Sequence, residues 1–588
     1  MRYAPWLVCV LILAAFGCAG GGGGDSSGGG GSTNPGPATA LAVITQPAAA
    51  TAGNVFGTQP RIEIRDAAGV RVSTDNTTQV TAAITATTGT GGAMLSGTQT
   101  VTAASGVATF TNLSIDLTGT AYTLTFTATG LSDAISGAFD VTTAGAGGGQ
   151  APFVPPAPTG AATYYVDDSG AASDSNNGTS AATPWRTLQH AANQVVAGDI
   201  VEVADGSYSR MTLSNKNGTS GSPIVFRASG TGAIINSGTS SSVSPDNRDA
   251  IKITFSSYII IHGLRTQNAF RAGCRVDYAP NVTVQGCVFA DGGTWGCFTD
   301  YSDDCHLIGN ECYGSQREHG IYHSNGGDRA IIRGNYCHNN AAGGIQINAD
   351  PVSIVPGGGT HEDGICEQCI IERNWCVDNG GGSAAVPGAS PPVAGGGACL
   401  NFASIRNCDV RNNLLRTQYN QSGIVLWDDG FSSTYGSMNN RVYHNTVVLG
   451  ASVTRHVFVI SNGSTGNSIR NNVCVAGARG IFEFTTDSMS GLTESHNVVY
   501  KPSGWAFATD ETTSTSYSTL ANWQSFSGQG ASDDAAQPQF ANVGTDDYSL
   551  LAGSPGLDDG VNSLGVTGTY DGASRPQGAG YDRGCFED

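Results

Sequence analysis

AIIRGNYCH at 330–338, CIIERNWCV at 369–377, CDVRNNLLR at 408–416, RVYHNTVV at 441–448 and SIRNNVCV at 468–475 are versions of one line, a short strand that ends in asparagine with a second short strand directly after it. Aligned on that asparagine or its equivalent, the anchors are Leu264, Cys287, Asn310, Asn335, Asn374, Asn413, Asn445, Asn472 and Asn497, at gaps of 23, 23, 25, 39, 39, 32, 27 and 25 residues. A short period with occasional long gaps marks a solenoid, whose coils bury an apolar face only by stacking and whose insertions emerge as loops. The β-branched content and the lack of helical periodicity point to strands rather than paired helices.

Between the asparagine lines lies another strand, usually opened by glycine: GCRV from Gly273, GCFT from Gly296, GIYH from Gly320, GIQI from Gly344, ACLN from Ala398, GIVL from Gly423 and GIFE from Gly480. Three strands per coil make a parallel β-helix. Asparagine suits the turn because it tolerates unusual backbone angles and its amide can bond to the same residue one coil away, forming an Asn ladder. On these lines the chain resembles, over roughly 163–588, the right-handed parallel β-helix superfamily of pectate lyases, alginate and chondroitin lyases and mannuronan epimerases. The resemblance implies an all-β fold and activity on acidic polysaccharides.

The preceding 160 residues change character several times. Arg2, an apolar run over 6–16 and Cys18 read as a secretory leader. AFGC at 15–18 resembles a bacterial lipobox, which implies lipidation of Cys18 and anchoring at the outer membrane or cell surface, with free secretion as the alternative. The Gly/Ser-rich stretch at 19–39 is a tether. Alternating strands such as QVTAAITATT and AYTLTFTATG fill 40–143, and ITQPAAATAGNVFGTQPRIEIRDAAG resembles bacterial immunoglobulin-like domains, implying a β-sandwich spacer. A Gly/Pro linker at 144–160 leads into the β-helix of 161–588. There Thr187 is placed to cap a short helix with Leu188, Ala191, Ala192 and Val195 on one face, closing the apolar end of the solenoid. GSP at 553–555 and DRGCFE at 582–587 resemble the closing segment of secreted β-helix proteins.

With 47 acidic against 27 basic residues and a net charge of −20, a nucleic-acid or anionic-membrane partner is excluded, so the membrane is met only through the N-terminal lipid, and a monomer is expected. Acidic sugars remain open as partners if calcium or a local arginine cluster supplies positive charge. Thirteen of the 15 cysteines fall in the β-helix at repeating positions, two after the asparagine (Cys312, Cys337, Cys376, Cys474) or five before it (Cys305, Cys369, Cys408). They read as inward stacked thiols, while a coil spacing of about 4.8 Å also leaves disulfides between neighbours open. Cys366 and Cys369 form a CxxC without a second ligand pair and read as structural.

Taking the residue after each opening glycine as inward, the next is outward. This gives Arg275, Phe298, Tyr322, Gln346, Leu400, Val425, Phe458 and Phe482, followed two residues on by Asp277, Asp300, Ser324, Asn348, Phe402, Trp427, Ile460 and Phe484. The early coils present a polar face and the later ones an apolar face, expected to lie under the tail of 500–588. Insertions at 349–367 and 378–397 are placed to wall that face.

β-Elimination from a uronate needs a cation or donor on the carboxylate, a base for the C5 proton and an acid for the leaving oxygen; C5 epimerisation needs the same proton abstraction. Arg275, Arg317 or a calcium ion held by Asp277, Asp300, Asp303 and Asp304 are candidates for the first role. His319 and Tyr322 are candidates for the others, with His323 either catalytic or turned into the core. Gln346 and Asn348 are candidate substrate contacts. Two alternatives stand beside this reading: inverting hydrolysis by a carboxyl pair about 6.5–9.5 Å apart, for which TD at 299–300, DDC at 303–305 and EHG at 318–320 resemble polygalacturonase motifs, and a non-catalytic glycan-binding β-helix.

Overall fold

A computed structural model of the chain describes residues 35–587 apart from 48–49, 52–55, 57, 91–92, 116, 118, 143–152, 237–247, 350–362, 383–396, 429, 431, 503–505 and 563–564. The leader, Cys18 and most of the tether lie outside the described residues, as do most of both insertions. The chain divides into two compact units at Gly145.

In the first unit, short strands form small, mainly antiparallel sheets, among them Ala38–Thr45 with Arg61–Asp66 and Leu124–Thr127 with Gln79–Ile84. Alternation places Ile62, Ile64, Val80, Ala82, Leu124 and Phe126 in one core.

The second unit is a parallel β-helix. Most of its strands fall into three sheets of 12, 11 and 12 strands, parallel apart from one antiparallel pairing at the end of the third, with two two-stranded sheets beside them. Sheet 1 contains Ile331–Arg333, Ile370–Glu372 and Asp409–Arg411; sheet 2 contains Tyr336–His338, Trp375–Val377 and Leu414–Thr417; sheet 3 contains Ala272–Asp277, Trp295–Asp300, Ile321–Ser324, Ile345–Asn348, Ala398–Ala403 and Ser422–Trp427. Inward rows of valine, isoleucine, leucine, phenylalanine and cysteine form one continuous core.

The corner between sheets 1 and 2 carries the Asn ladder. Asn310, Asn335, Asn374, Asn413, Asn445, Asn472 and Asn497 are buried, and each side-chain amide donates to the next carboxamide oxygen at 2.9–3.0 Å up to Asn497. The left-handed backbone belongs not to these asparagines but to the residue before each, as at Gly334 (φ 65°), Arg373 (φ 57°) and Asn412 (φ 52°). The ladder residue turns inward and spends its whole hydrogen-bonding capacity on its neighbours.

The ends are closed as a solenoid requires. Thr187 caps the helix Leu188–Gln194 by accepting from the His190 N–H, and Leu188, Ala191, Ala192 and Val195 are buried. At the other end Trp523, on the helix Leu520–Ser527, stacks on Phe482 at 5.0 Å between centroids. The tail differs from expectation. Tyr548, Tyr570, Cys585 and Phe586 pack on Tyr336, Trp375, Val377 and Leu414, which are residues of sheet 2 rather than of sheet 3. All thirteen cysteines of this unit are free and buried, with Cys312, Cys337 and Cys376 stacked in register.

Candidate functional site

The outward rows of sheet 3 are part buried and part half-buried, with Arg275, Tyr322 and Asn348 among the half-buried members. Strand pairing aligns Lys252, Arg275, Phe298, Tyr322, Gln346, Asn401, Val425, Val459 and Glu483 in one row, and Thr254, Asp277, Asp300, Ser324, Asn348, Ala403 and Trp427 in the other. The first four coils therefore stand as expected. In Ala398–Ala403, His456–Ile460 and Gly480–Phe484 the expected register is off by one: Leu400, Phe402, Phe458, Ile460, Phe482 and Phe484 point into the core and are buried, whereas Val425 and Trp427 stand outward as expected. The position that is glycine in the early coils is Cys399, Val457 and Ile481 in these, and a slip of one residue turns every side chain over. The later coils thus carry Asn401, Val425, Val459 and Glu483 outward, with Ala403 and Trp427 beside them, a mixed polar and apolar face.

Arg275 is the centre of the polar part. Its Nε lies 2.8 Å from Asp277 Oδ2, its Nη2 3.2 Å from Asp300 Oδ2, and its guanidinium carbon 4.2 Å from the Phe298 ring centroid. Asp300 also accepts from Asn325 Nδ2 at 2.7 Å. Burial nevertheless pushes the Asp300 carboxyl up to about 6 and raises that of Asp277, outweighing the shared arginine.

Beside this group Trp295, Phe298 and Tyr322 form an aromatic cluster with centroids 4.4–5.9 Å apart, and Trp295 Nε1 donates to Glu318 Oε2 at 2.7 Å. The rings of His319 and Tyr322 meet edge to face at 5.6 Å. His319 Nδ1 accepts from the Gly343 N–H at 2.9 Å, and burial pushes the imidazole down to about 4. The ring is neutral near pH 7, so its proton sits on Nε2 and it acts as a donor; this removes it as the base. Tyr322 Oη accepts from Asn348 Nδ2 at 3.0 Å, and Gln346 Oε1 accepts from Asn401 Nδ2 at 2.6 Å.

Three expected members stand elsewhere. His323 is fully buried, with Nδ1 2.6 Å from Thr299 Oγ1 and Nε2 2.7 Å from the Gly327 carbonyl, and is a core residue. Asp303 and Asp304 are paired with Arg329 at 3.0 and 2.9 Å, on the turn that leaves sheet 3, whereas Asp277 and Asp300 belong to Arg275. Among the described residues no three His, Cys, Asp or Glu side chains form a group that could hold a metal ion. Arg317 is exposed next to Glu318.

Trp295, Asn325 and Asn401 are additions that the sequence reading missed. Trp295 directly precedes a glycine-led strand, and aromatic character at that position was the available signal. Farther along the same face, His456 Nδ1 is paired with Glu483, and burial together with that carboxylate pushes Glu511 up to about 7.

A family model described as periplasmic copper-binding protein (NosD) matches residues 212–357. A comparison with curated protein sequences gives no match. Among solved structures, the pectate lyase Pel9A is similar at 18% identity, covering 73% of this chain and 97% of that one with a TM-score of 0.46. An alginate lyase from Paenibacillus sp. str. FPU-7 is similar at 19% identity over 53% of this chain and 95% of that one, with a TM-score of 0.38. A rhamnogalacturonan lyase is similar at 15% identity over 65% and 91%, with a TM-score of 0.36. The fold assignment itself rests on the pairing of the three sheets.

Proposed function

We propose that the early coils of sheet 3 bind an acidic polysaccharide outside the cytoplasm and cleave it by β-elimination. The observation that carries this reading is the pairing of a neutral, donor-only His319 with Tyr322, whose oxygen is held by Asn348, beside an aromatic and arginine-bearing surface. In this scheme Tyr322, as its phenolate, takes the C5 proton of the uronate. The C4–C5 double bond forms as the C4–O bond breaks, and the proton passes to the leaving oxygen. His319 Nε2 donates to the developing charge on the carboxylate, with Arg275 and the exposed Arg317 as its cationic neighbours. Trp295 and Phe298 give a sugar ring an apolar wall. C5 epimerisation would use the same abstraction with return of the proton from the opposite face, and anchoring through a lipid on Cys18 belongs to the same reading.

The test is the rise in ultraviolet absorbance of unsaturated uronate on pectate, alginate and chondroitin. It is expected to fall at least about a hundredfold in Tyr322→Phe, in line with loss of a general acid–base group. His319→Gln, which keeps a donor, is expected to fall less than His319→Ala. A chelator is expected to leave the rate unchanged. An undiminished rate in Tyr322→Phe would overturn the assignment.

One observation favours a second reading, hydrolysis: Asp277 and Asp300 are in-register neighbours and Asp300 is shifted to about 6, the range of a carboxyl proton donor. Release of reducing ends without ultraviolet absorbance, lost in Asp300→Asn, would select it.

A further inference from the structure

On sheet 1, away from the rows described above, Arg333, Glu372 and Arg411 are in register on three successive coils. Arg333 Nε lies 2.5 Å from one oxygen of Glu372 and Arg411 Nε 2.6 Å from the other, so the carboxylate is fully used. Although burial opposes it, these two arginines hold the Glu372 carboxyl below its usual range. Arg373 follows directly, at the left-handed corner. Its guanidinium makes no hydrogen bond or ion pair with a described residue.

The returning tail roofs this arginine. The loop 565–574 is tied to the coil by Asn412, whose Nδ2 donates to the Gly568 carbonyl at 2.8 Å and whose Oδ1 accepts from the buried Arg575 at 3.2 Å. A Cβ on Gly568 would lie 2.7 Å from Arg373 Nη2. The loop thus passes close over the guanidinium at a residue without a side chain. Between loop and sheet is a cleft of about 410 Å³ lined by Arg333, Glu372, Arg373, Arg411, Asn412 and the loop. Three arginines against one glutamate leave it at +2, in a chain of net charge −20.

We propose that this cleft is an anion-binding site that receives a carboxylate- or sulfate-bearing sugar unit. A half-buried guanidinium without a partner among the described residues gains most from a planar or tetrahedral oxyanion that accepts two of its N–H groups. The cleft volume is within the range of small-ligand sites, enough for a sugar ring beyond the anionic group. The choice of a sugar rests on the function proposed above; the choice of an oxyanion does not. A site on sheet 1 would hold a polymer, or its product, separately from the sheet 3 face.

The test is titration calorimetry on the full chain with trigalacturonate, a chondroitin 4-sulfate disaccharide, inorganic sulfate and neutral maltotriose. Binding of at least one charged saccharide is expected, absent with maltotriose and competed by inorganic sulfate. It should persist in Tyr322→Phe and weaken about tenfold or more in Arg373→Gly, a change that suits the left-handed backbone there. Arg373→Gln, with matched thermal unfolding, separates charge loss from misfolding. Carboxylate and sulfate sugars are told apart by which of the two probes binds. Charged-sugar binding that is unchanged in both Arg373 variants overturns the proposal, as does binding of inorganic sulfate alone. Absence of eliminase activity in the unaltered protein with retained cleft binding refutes the sheet 3 chemistry and leaves this site standing.

Discussion

Replacing Asn374 by alanine tests how the ladder holds the coils together, and the structure gives the size of the effect. Asn374 Oδ1 accepts from both the backbone N–H and the side-chain amide of Asn335 at 3.0 Å, while its own Nδ2 donates to the Ile332 carbonyl at 2.8 Å and to Asn413 Oδ1 at 3.0 Å. Alanine leaves two buried donors of Asn335 without an acceptor. At about 1–3 kcal/mol for each orphaned buried group, the loss comes to about 4 kcal/mol. Asn310 is the internal control. The previous anchor is Cys287, which has no carboxamide, so Asn310 Oδ1 serves one donor only, the Cys287 N–H at 3.0 Å. Asn310→Ala is therefore expected to cost about half as much, about 2 kcal/mol. Urea unfolding followed by tryptophan fluorescence reads this unit selectively, because every tryptophan after residue 6 lies in the β-helix. Equal costs at the two positions, or a cost below about 1 kcal/mol at Asn374, would refute the accounting.

Asp300 gives a pH dependence of defined sign. Its folded carboxyl sits near 6, above an unfolded value of about 3.9. The folded state holds the proton more tightly, so stability is greatest below about pH 4 and declines as pH rises through 6, by about 2–3 kcal/mol for this group. Asp300→Asn should flatten that part of the stability profile, and an unchanged slope between pH 4 and 6 would count against a buried, strained carboxylate. The cysteines give a chemical prediction: the thirteen buried thiols of the β-helix should resist an aromatic disulfide reagent in the native protein, react in denaturant, and leave the melting temperature unaltered by reductant. A drop in melting temperature with reductant would reveal disulfides between coils.

What the sequence disclosed and what it hid follow from whether a signal repeats locally. The ladder was legible because each coil needs the same carboxamide at the same corner, so identity recurs even where spacing stretches from 23 to 39 residues. The face around Arg275, Phe298 and Tyr322 was legible because glycine marks the register of its coils: a Cβ on Gly296 would meet the Gly320 carbonyl at 2.6 Å, and one on Gly344 the Cys376 sulfur at 2.7 Å. Where Cys399, Val457 and Ile481 occupy that position the mark disappears, and alternation alone cannot choose between two registers. Chemical role was less legible than position. His319 was correctly placed, but only the Gly343 N–H shows that its Nδ1 is already occupied, and that bond comes from the next coil. The same holds for Asp303 and Asp304, close in sequence to Asp300 yet committed to Arg329, 25 residues on. The arginine cleft lies beyond any local pattern. Arg373 reads as one more charged turn residue until the loop at 565–574, nearly 200 residues later, crosses it and brings Gly568 over the guanidinium. In a stacked fold, periodicity writes the scaffold into the sequence, whereas sites are made where coils, insertions and the returning tail break the period, and there the deciding neighbour is far away in the chain.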